Sequence, residues 1–159
     1  MIYRADIISS IKDILVQKQE TVAVAESVTG GHLQAALSGA VEAAKCFHGG
    51  ITTYNLGQKT RHLNVDPILC EQNNCVAERI AQQMAIGVCT KFISHYGIAI
   101  TGYASIVPEC EKEGLFAWVA IAHNGVIVLS QKISSAEKEP YQVQVDYTNT
   151  VLELFNKVL

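Results

Sequence analysis

The stretch Val22-Ala23-Val24-Ala25-Glu26-Ser27-Val28-Thr29-Gly30-Gly31 holds the fold in miniature. Its first four residues are an apolar run of strand type. The next six are a polar, Gly-bearing turn, and His32-Leu33-Gln34-Ala35-Ala36-Leu37 continues as a helix. A strand, a sharp turn and a helix put small polar side chains at the C-terminal end of a strand. They also aim the free backbone N–H groups of the helix N-terminus outward. In open α/β sheets ligands bind there. A hydroxyl at such an elbow can act as a nucleophile beside an oxyanion or phosphate cradle. The same residues have an architectural reading, in which Ser27 or Thr29 caps the helix and the glycines only permit tight packing.

Working outward, the pattern alternates between helix and strand. Ile7, Ile8, Ile11, Ile14 and Leu15 share one helical face and predict a helix over 5–18. The elbow strand is expected at 21–25 and its helix at 29–38, with a small-residue, helical stretch at 40–44. A β-branched run predicts a second strand at 46–54, where Gly49-Gly50 suggests a bulge or a close backbone approach. A turn at 55–58 leads to a helix at 59–63, and Asp66-Pro67 opens another at 67–72. The longest helical pattern covers 76–96. A buried-type strand follows at 97–102, then a loop at 103–114. Two strands, 115–123 and 126–133, meet at Asn124-Gly125, a hairpin signal. Pro140 starts a final helix over 140–158. These elements predict a single α/β domain over 1–159, three layers deep (α/β/α), with helices on both faces of a mixed sheet.

Composition narrows the function classes. The chain has 159 residues, enough for one domain with a substantial core. Apolar residues make up 49% and charged residues 17%, and the net charge is −3, which gives no support for nucleic-acid binding. No apolar run is long enough to span a membrane, and residues 1–6 lack the layout of a signal peptide. A cytoplasmic location is expected, with no nucleic-acid or membrane partner. Cys46, Cys70, Cys75, Cys89 and Cys110 contain no CxxC pair, so reduced, mostly buried thiols and no metal site are expected.

The chemistry-bearing residues gather at predicted strand ends: Glu26, Ser27 and Thr29; Tyr54 and Lys59; Thr101 and Gly102. A lysine desolvated in an apolar site has a lowered pKa and can take a serine proton. A tyrosine hydroxyl can relay that proton. His32, His48, His62, His95 and His123 form no alternative triad in sequence. Cys75, just before the long helix, is a weaker alternative nucleophile.

This constellation resembles the CinA C-terminal domain family, the nicotinamide-nucleotide amidases. The family's A-E-S-C-T-G-G motif reads Ala25-Glu26-Ser27-Val28-Thr29-Gly30-Gly31 here. Its G-x-x-T-Y-x-x-x-x-K motif is matched by Gly50-Ile51-Thr52-Thr53-Tyr54 with Lys59 five residues on. The resemblance implies a CinA-like α/β fold and deamidation of nicotinamide mononucleotide to nicotinate mononucleotide and ammonia, with no cofactor or metal. It implies Ser27 as nucleophile, activated by Lys59 with Tyr54 assisting, and backbone N–H groups near Ser27 and Gly30 facing the oxyanion. Glu26, Thr29, Gly30, Gly31, Thr101 and Gly102 are then the expected substrate-binding residues, and a homo-oligomer is the expected assembly. The alternative is a silent or substrate-shifted member of the same fold that binds a nucleotide-like ligand or a protein partner.

The chain also departs from the family pattern. Val28 replaces a cysteine, and Cys75-Val76-Ala77 stands where the family has A-V-S. The T-G-I-A-G-P-x-G-G loop survives only as Thr101, Gly102 and Ala104; Tyr103, Ile106, Glu109 and Glu111 replace its Gly-rich part. The G-D-R stretch before the final helix reads Ser134-Ser135-Ala136-Glu137-Lys138, so a phosphate-bearing substrate misses an Arg-type partner.

Overall fold

The computed structural model describes residues 2–159. The elbow strand, β1 (Val22–Glu26), is buried along its whole length. It can be buried on both faces because its run is continuously apolar up to Glu26. β2 (Phe47–Thr52) and β3 (Tyr96–Gly102) flank it, both parallel to it. β4 (Phe116–His123) pairs antiparallel with β3, and β5 (Val126–Ser134) antiparallel with β4. The order β2-β1-β3-β4-β5 makes a mixed sheet, five-stranded among the described residues. The hairpin turn has positive φ at both Asn124 and Gly125, which matches the twist of the flanking strands.

The two faces of the sheet differ in side-chain size. Val22, Val24, Ile98, Ile100, Val119 and Ile121 point to one side. They pack against α1 (Ala5–Lys18), α2 (His32–Ser38) and the long α6 (Pro140–Val158). Ala23, Ala25, Ala99, Ala120 and Ala122 point to the other side, where α3 (Leu56–Leu63), α4 (Pro67–Gln72) and α5 (Glu78–Phe92) lie. Small side chains let α5 press close. A Cβ built on Gly97 of β3 would sit 2.2 Å from the carbonyl oxygen of Ala85 in α5. The expected single α/β domain with helices on both faces is therefore the observed architecture.

Some boundaries move for local reasons. α2 starts at His32 rather than residue 29, because Gly31 sits at φ +113°, outside helical space. α3 starts at Leu56, three residues early, because the Asn55 side chain accepts from the N–H of Gln58 (3.1 Å) and caps it. The long helix is shorter than 76–96; it ends at Phe92, with Ile93 left-handed, and β3 begins at Tyr96. The stretch 40–44 yields only a single 3-10 turn, Ala43–Lys45, and the expected loop 103–114 holds another at Pro108–Cys110. β2 stops at Thr52, two residues short of Tyr54.

Candidate active site

The chain leaves β1 for α2 on one face of the sheet and reaches β3 through α3, α4 and α5 on the other. Neighbouring parallel strands whose connections go to opposite faces leave a crevice at their carboxyl ends. Ser27, one residue past β1, and Thr101-Gly102, at the end of β3, flank that crevice. A cleft of about 440 Å3 opens there, with Ser27, Lys59, Tyr54, Thr101, Gly102 and Tyr103 among its lining residues.

Ser27 and Lys59 meet at its base. Lys59 Nζ donates to Ser27 Oγ at 2.9 Å and to the carbonyl oxygen of Thr53 at 2.8 Å. Lys59 is 1% exposed, on the inner face of α3 one turn before the buried Leu63. Burial draws its pKa below the ordinary 10.5, and the neighbouring Cys75 and Cys70 side chains oppose that shift. A neutral lysine donates two hydrogens and offers one lone pair. In that state it keeps the bond to Thr53 and can accept the Ser27 proton.

Backbone pairing holds the two together. The Ser27 N–H donates to Ile100 O (3.1 Å), continuing the β1–β3 seam by one residue. The Thr53 N–H donates to Glu26 O (2.8 Å). The carbonyl that holds Lys59 is thus tied to the residue before Ser27.

Glu26 and Thr29 do not line the cleft, contrary to their expected substrate-binding role. Glu26 is fully buried, and its carboxylate accepts from Thr29 Oγ1 (2.6 Å) and from the N–H groups of Gly31 (3.1 Å), Leu33 (3.0 Å) and Gln34 (2.8 Å). An anion at a helix N-terminus satisfies donors the helix cannot. Glu26 is therefore the cap of α2, and Thr29 is its partner. Gly30 and Gly31 also lie outside the lining and shape the turn, at φ +59° and +113°.

Tyr54 stands apart from the expected trio. It is 67% exposed, on the rim of the cleft, and its hydroxyl has no hydrogen-bond partner among the described residues. Past the end of β2, Thr53 turns inward and Tyr54 outward. The expected oxyanion donors also change. The Ser27 N–H is engaged by Ile100, and the Gly30 N–H donates to Ser27 O at 3.1 Å. The N–H groups of Val28 and Thr29 find no acceptor among the described residues. Gln144 of α6 donates through Nε2 to Val28 O (2.9 Å), fixing that peptide from its other side.

Three features were not legible in sequence. Cys75 lines the cleft from a left-handed backbone position, φ +59°, and Thr101 Oγ1 donates to its carbonyl at 2.7 Å. Thr101 thus faces the cleft while holding the loop before α5. The rebuilt loop after β3 is anchored: the Tyr103 N–H donates to Phe116 O (2.9 Å), and Tyr147 of α6 donates to Tyr103 O (3.0 Å). Tyr103 lines the cleft without closing it. Pairs such as Tyr147 and Tyr103 are too far apart in the chain for a local pattern to show. The histidines do not line the cleft; His32 bonds Tyr3, His95 bonds Thr21, and His123 bonds Glu20. Among the described residues no group of three His, Cys, Asp or Glu side chains converges on a metal position, and no helix is long and apolar enough to cross a membrane.

Comparison with known proteins follows the same outline. A family model described as the CinA C-terminal domain matches residues 4–159. A protein of Alkaliphilus oremlandii bearing a competence-damage inducible name is 30% identical over 94% of this chain and 37% of its own length. A CinA-like protein of Picosynechococcus is 43% identical over 59% of this chain and 22% of its own. The chain spans well under half of the curated relatives it matches. Among solved structures, a competence-damaged protein (CinA) superfamily protein from Escherichia coli superposes with a TM-score of 0.88 at 26% identity, over 100% of this chain and 91% of that one. A competence or damage-inducible protein from Enterobacter asburiae gives 0.89 at 22% identity, over 98% of each chain.

Proposed function

The chain belongs to the CinA C-terminal domain family, and from that premise we propose that it is a serine amidohydrolase acting on the carboxamide of a nicotinamide-type substrate. Nicotinamide mononucleotide is the substrate the resemblance implies, with nicotinate mononucleotide and ammonia as products. The observation that carries the reading is the 2.9 Å contact between Ser27 Oγ and the buried Lys59 amine at the base of an open cleft.

In this mechanism neutral Lys59 accepts the Ser27 proton as Oγ bonds to the carboxamide carbon. The carbonyl oxygen takes the electron pair and is met by the unengaged N–H group of Val28, the residue just after the nucleophile and part of the cleft lining. The intermediate collapses, the C–N bond breaks, and the Lys59 ammonium returns its proton to the departing nitrogen as ammonia. Water then attacks the acyl ester, again giving a proton to Lys59. The Ser27–acyl bond breaks, the proton returns to Ser27 Oγ, and the acid is released. No step needs Tyr54, which is a rim contact for substrate.

A second reading, a domain that binds its ligand without turnover, draws support from the exposure of Tyr54 and its lack of a hydrogen bond to the pair. Ammonia release from nicotinamide mononucleotide and related pyridine carboxamides, beside Ser27→Ala, separates the two. The amidase reading expects release that falls at least about a thousand-fold in the variant. No release from folded wild-type protein with any of these substrates favours the binding reading.

A further inference from the structure

We infer that the cleft selects a phosphate-free, positively charged pyridine carboxamide over its phosphorylated form, an inference that deepens the amidase reading and rests on it for the identity of the carboxamide. The charges on the lining point that way. Among the described residues Lys59 is the one basic side chain on the cleft wall and Glu109 the one carboxylate. Lys59 offers little to a phosphate. Its head is buried, and its hydrogens go to Ser27 and Thr53. A phosphate entering here gives up water without a cation to replace it, and meets the field of Glu109.

Two helix termini near the cleft, those of α2 and α6, carry carboxylates of their own. The N-terminus of α2 is the natural anion seat of a strand–turn–helix elbow. Here the Glu26 carboxylate already fills it, accepting the N–H groups of Gly31, Leu33 and Gln34. The N-terminus of α6 reaches the cleft at Pro140, and Glu139 precedes it with a second carboxylate. Lys138 lies between Glu137 and Glu139, outside the lining.

What the cleft does offer suits a cation. The rings of Tyr54 and Tyr103 both line it, and aromatic faces attract cations. Tyr103 is held firmly, its ring set edge-on to Phe116 with centroids 5.4 Å apart. Burial, and further the nearby charge of Glu109, push its phenol above the ordinary value, so it stays neutral and polarisable at working pH. Asn74 and Ser105 add neutral polar groups for a sugar. A pyridinium ring with a ribose fits that set, and a 5′-phosphate adds only repulsion.

Nicotinamide riboside and nicotinamide mononucleotide share the pyridinium, the ribose and the carboxamide and differ by the phosphate. Their binding to the 159-residue chain carrying Ser27→Ala, checked for folding by circular dichroism, is to be measured by calorimetry at low and moderate salt. The expected result is a riboside Kd about ten-fold below that of the nucleotide, the scale of an uncompensated like-charge encounter. Adding Glu109→Gln, at an exposed position, should narrow that ratio to about three-fold, chiefly by tightening the nucleotide. Equal or tighter binding of the nucleotide overturns the inference, as does failure of both ligands to bind the folded variant. Ammonia release by the wild type is read separately. A riboside preference without release retires the amidase reading and keeps the selectivity.

Discussion

At the residue scale the pair Ser27–Lys59 makes sharp demands. Replacing Lys59 with Met keeps the length of the side chain and removes the base. Ammonia release should fall about 10^2- to 10^4-fold, while the urea midpoint corresponds to a stability within about 1 kcal/mol of wild type, since a buried lysine is costly to keep. The pH profile has a definite sign. The folded pKa of Lys59 is lowered, so activity rises with pH along an acid limb centred below 10.5. The same shift gives folding a contribution that is full above 10.5 and is lost as pH falls through the depressed folded value. Lys59→Met should flatten the limb. Tyr54→Phe makes the opposite test. Its hydroxyl is unbonded and its ring exposed, so kcat should change by less than about three-fold; a loss near that of Lys59→Met would return Tyr54 to the proton path. Sequence reasoning put Ser27 and Lys59 on one site through motif spacing, but the direction of Tyr54 depended on where β2 stopped, which no local pattern shows.

At the element scale the elbow depends on Glu26. Four hydrogen bonds from Thr29 and three N–H groups of the α2 entry converge on one buried carboxylate. Glu26→Gln keeps the shape but supplies hydrogens where acceptors are needed. It should cost about 3 kcal/mol in chemical denaturation, with loss of turnover because Ser27 follows directly on. A loss of turnover with unchanged stability would instead give Glu26 a direct role toward substrate. The elbow was legible as strand, turn and helix, since apolar run, glycines and helical period fall in order. The role of Glu26 was not, because a carboxylate at a strand end looks the same whether it faces ligand or its own helix. Periodicity also overran the long helix. Ile93 and Tyr96 extend the apolar pattern of the helix, but Ile93 turns left-handed to feed β3. Against α5, Gly97→Ala should destabilise by about 2 kcal/mol or more, since the obstacle 2.2 Å away is backbone.

At the scale of the whole molecule, fold class was the most legible property. Alternating helix and strand signals and the Asn124-Gly125 hairpin limit the architecture to layers of helix about a mixed sheet. The order of strands was not in those signals. It follows from α2 and α5 taking opposite faces, and that choice depends on valine and isoleucine facing one layer and alanine the other. The burial of sulfur has a practical consequence. Cys46, Cys70, Cys89 and Cys110 are buried, and burial and the Cys75 contact push Cys70 up to about 12. Cys75 alone is partly exposed, and it opens on the cleft. A maleimide dye added to native protein at pH 7.5 should therefore give one fast adduct, at Cys75, found by peptide mapping. The chain carries its own attachment point for a fluorescent reporter, and any small molecule that enters the cleft will announce itself by slowing the dye.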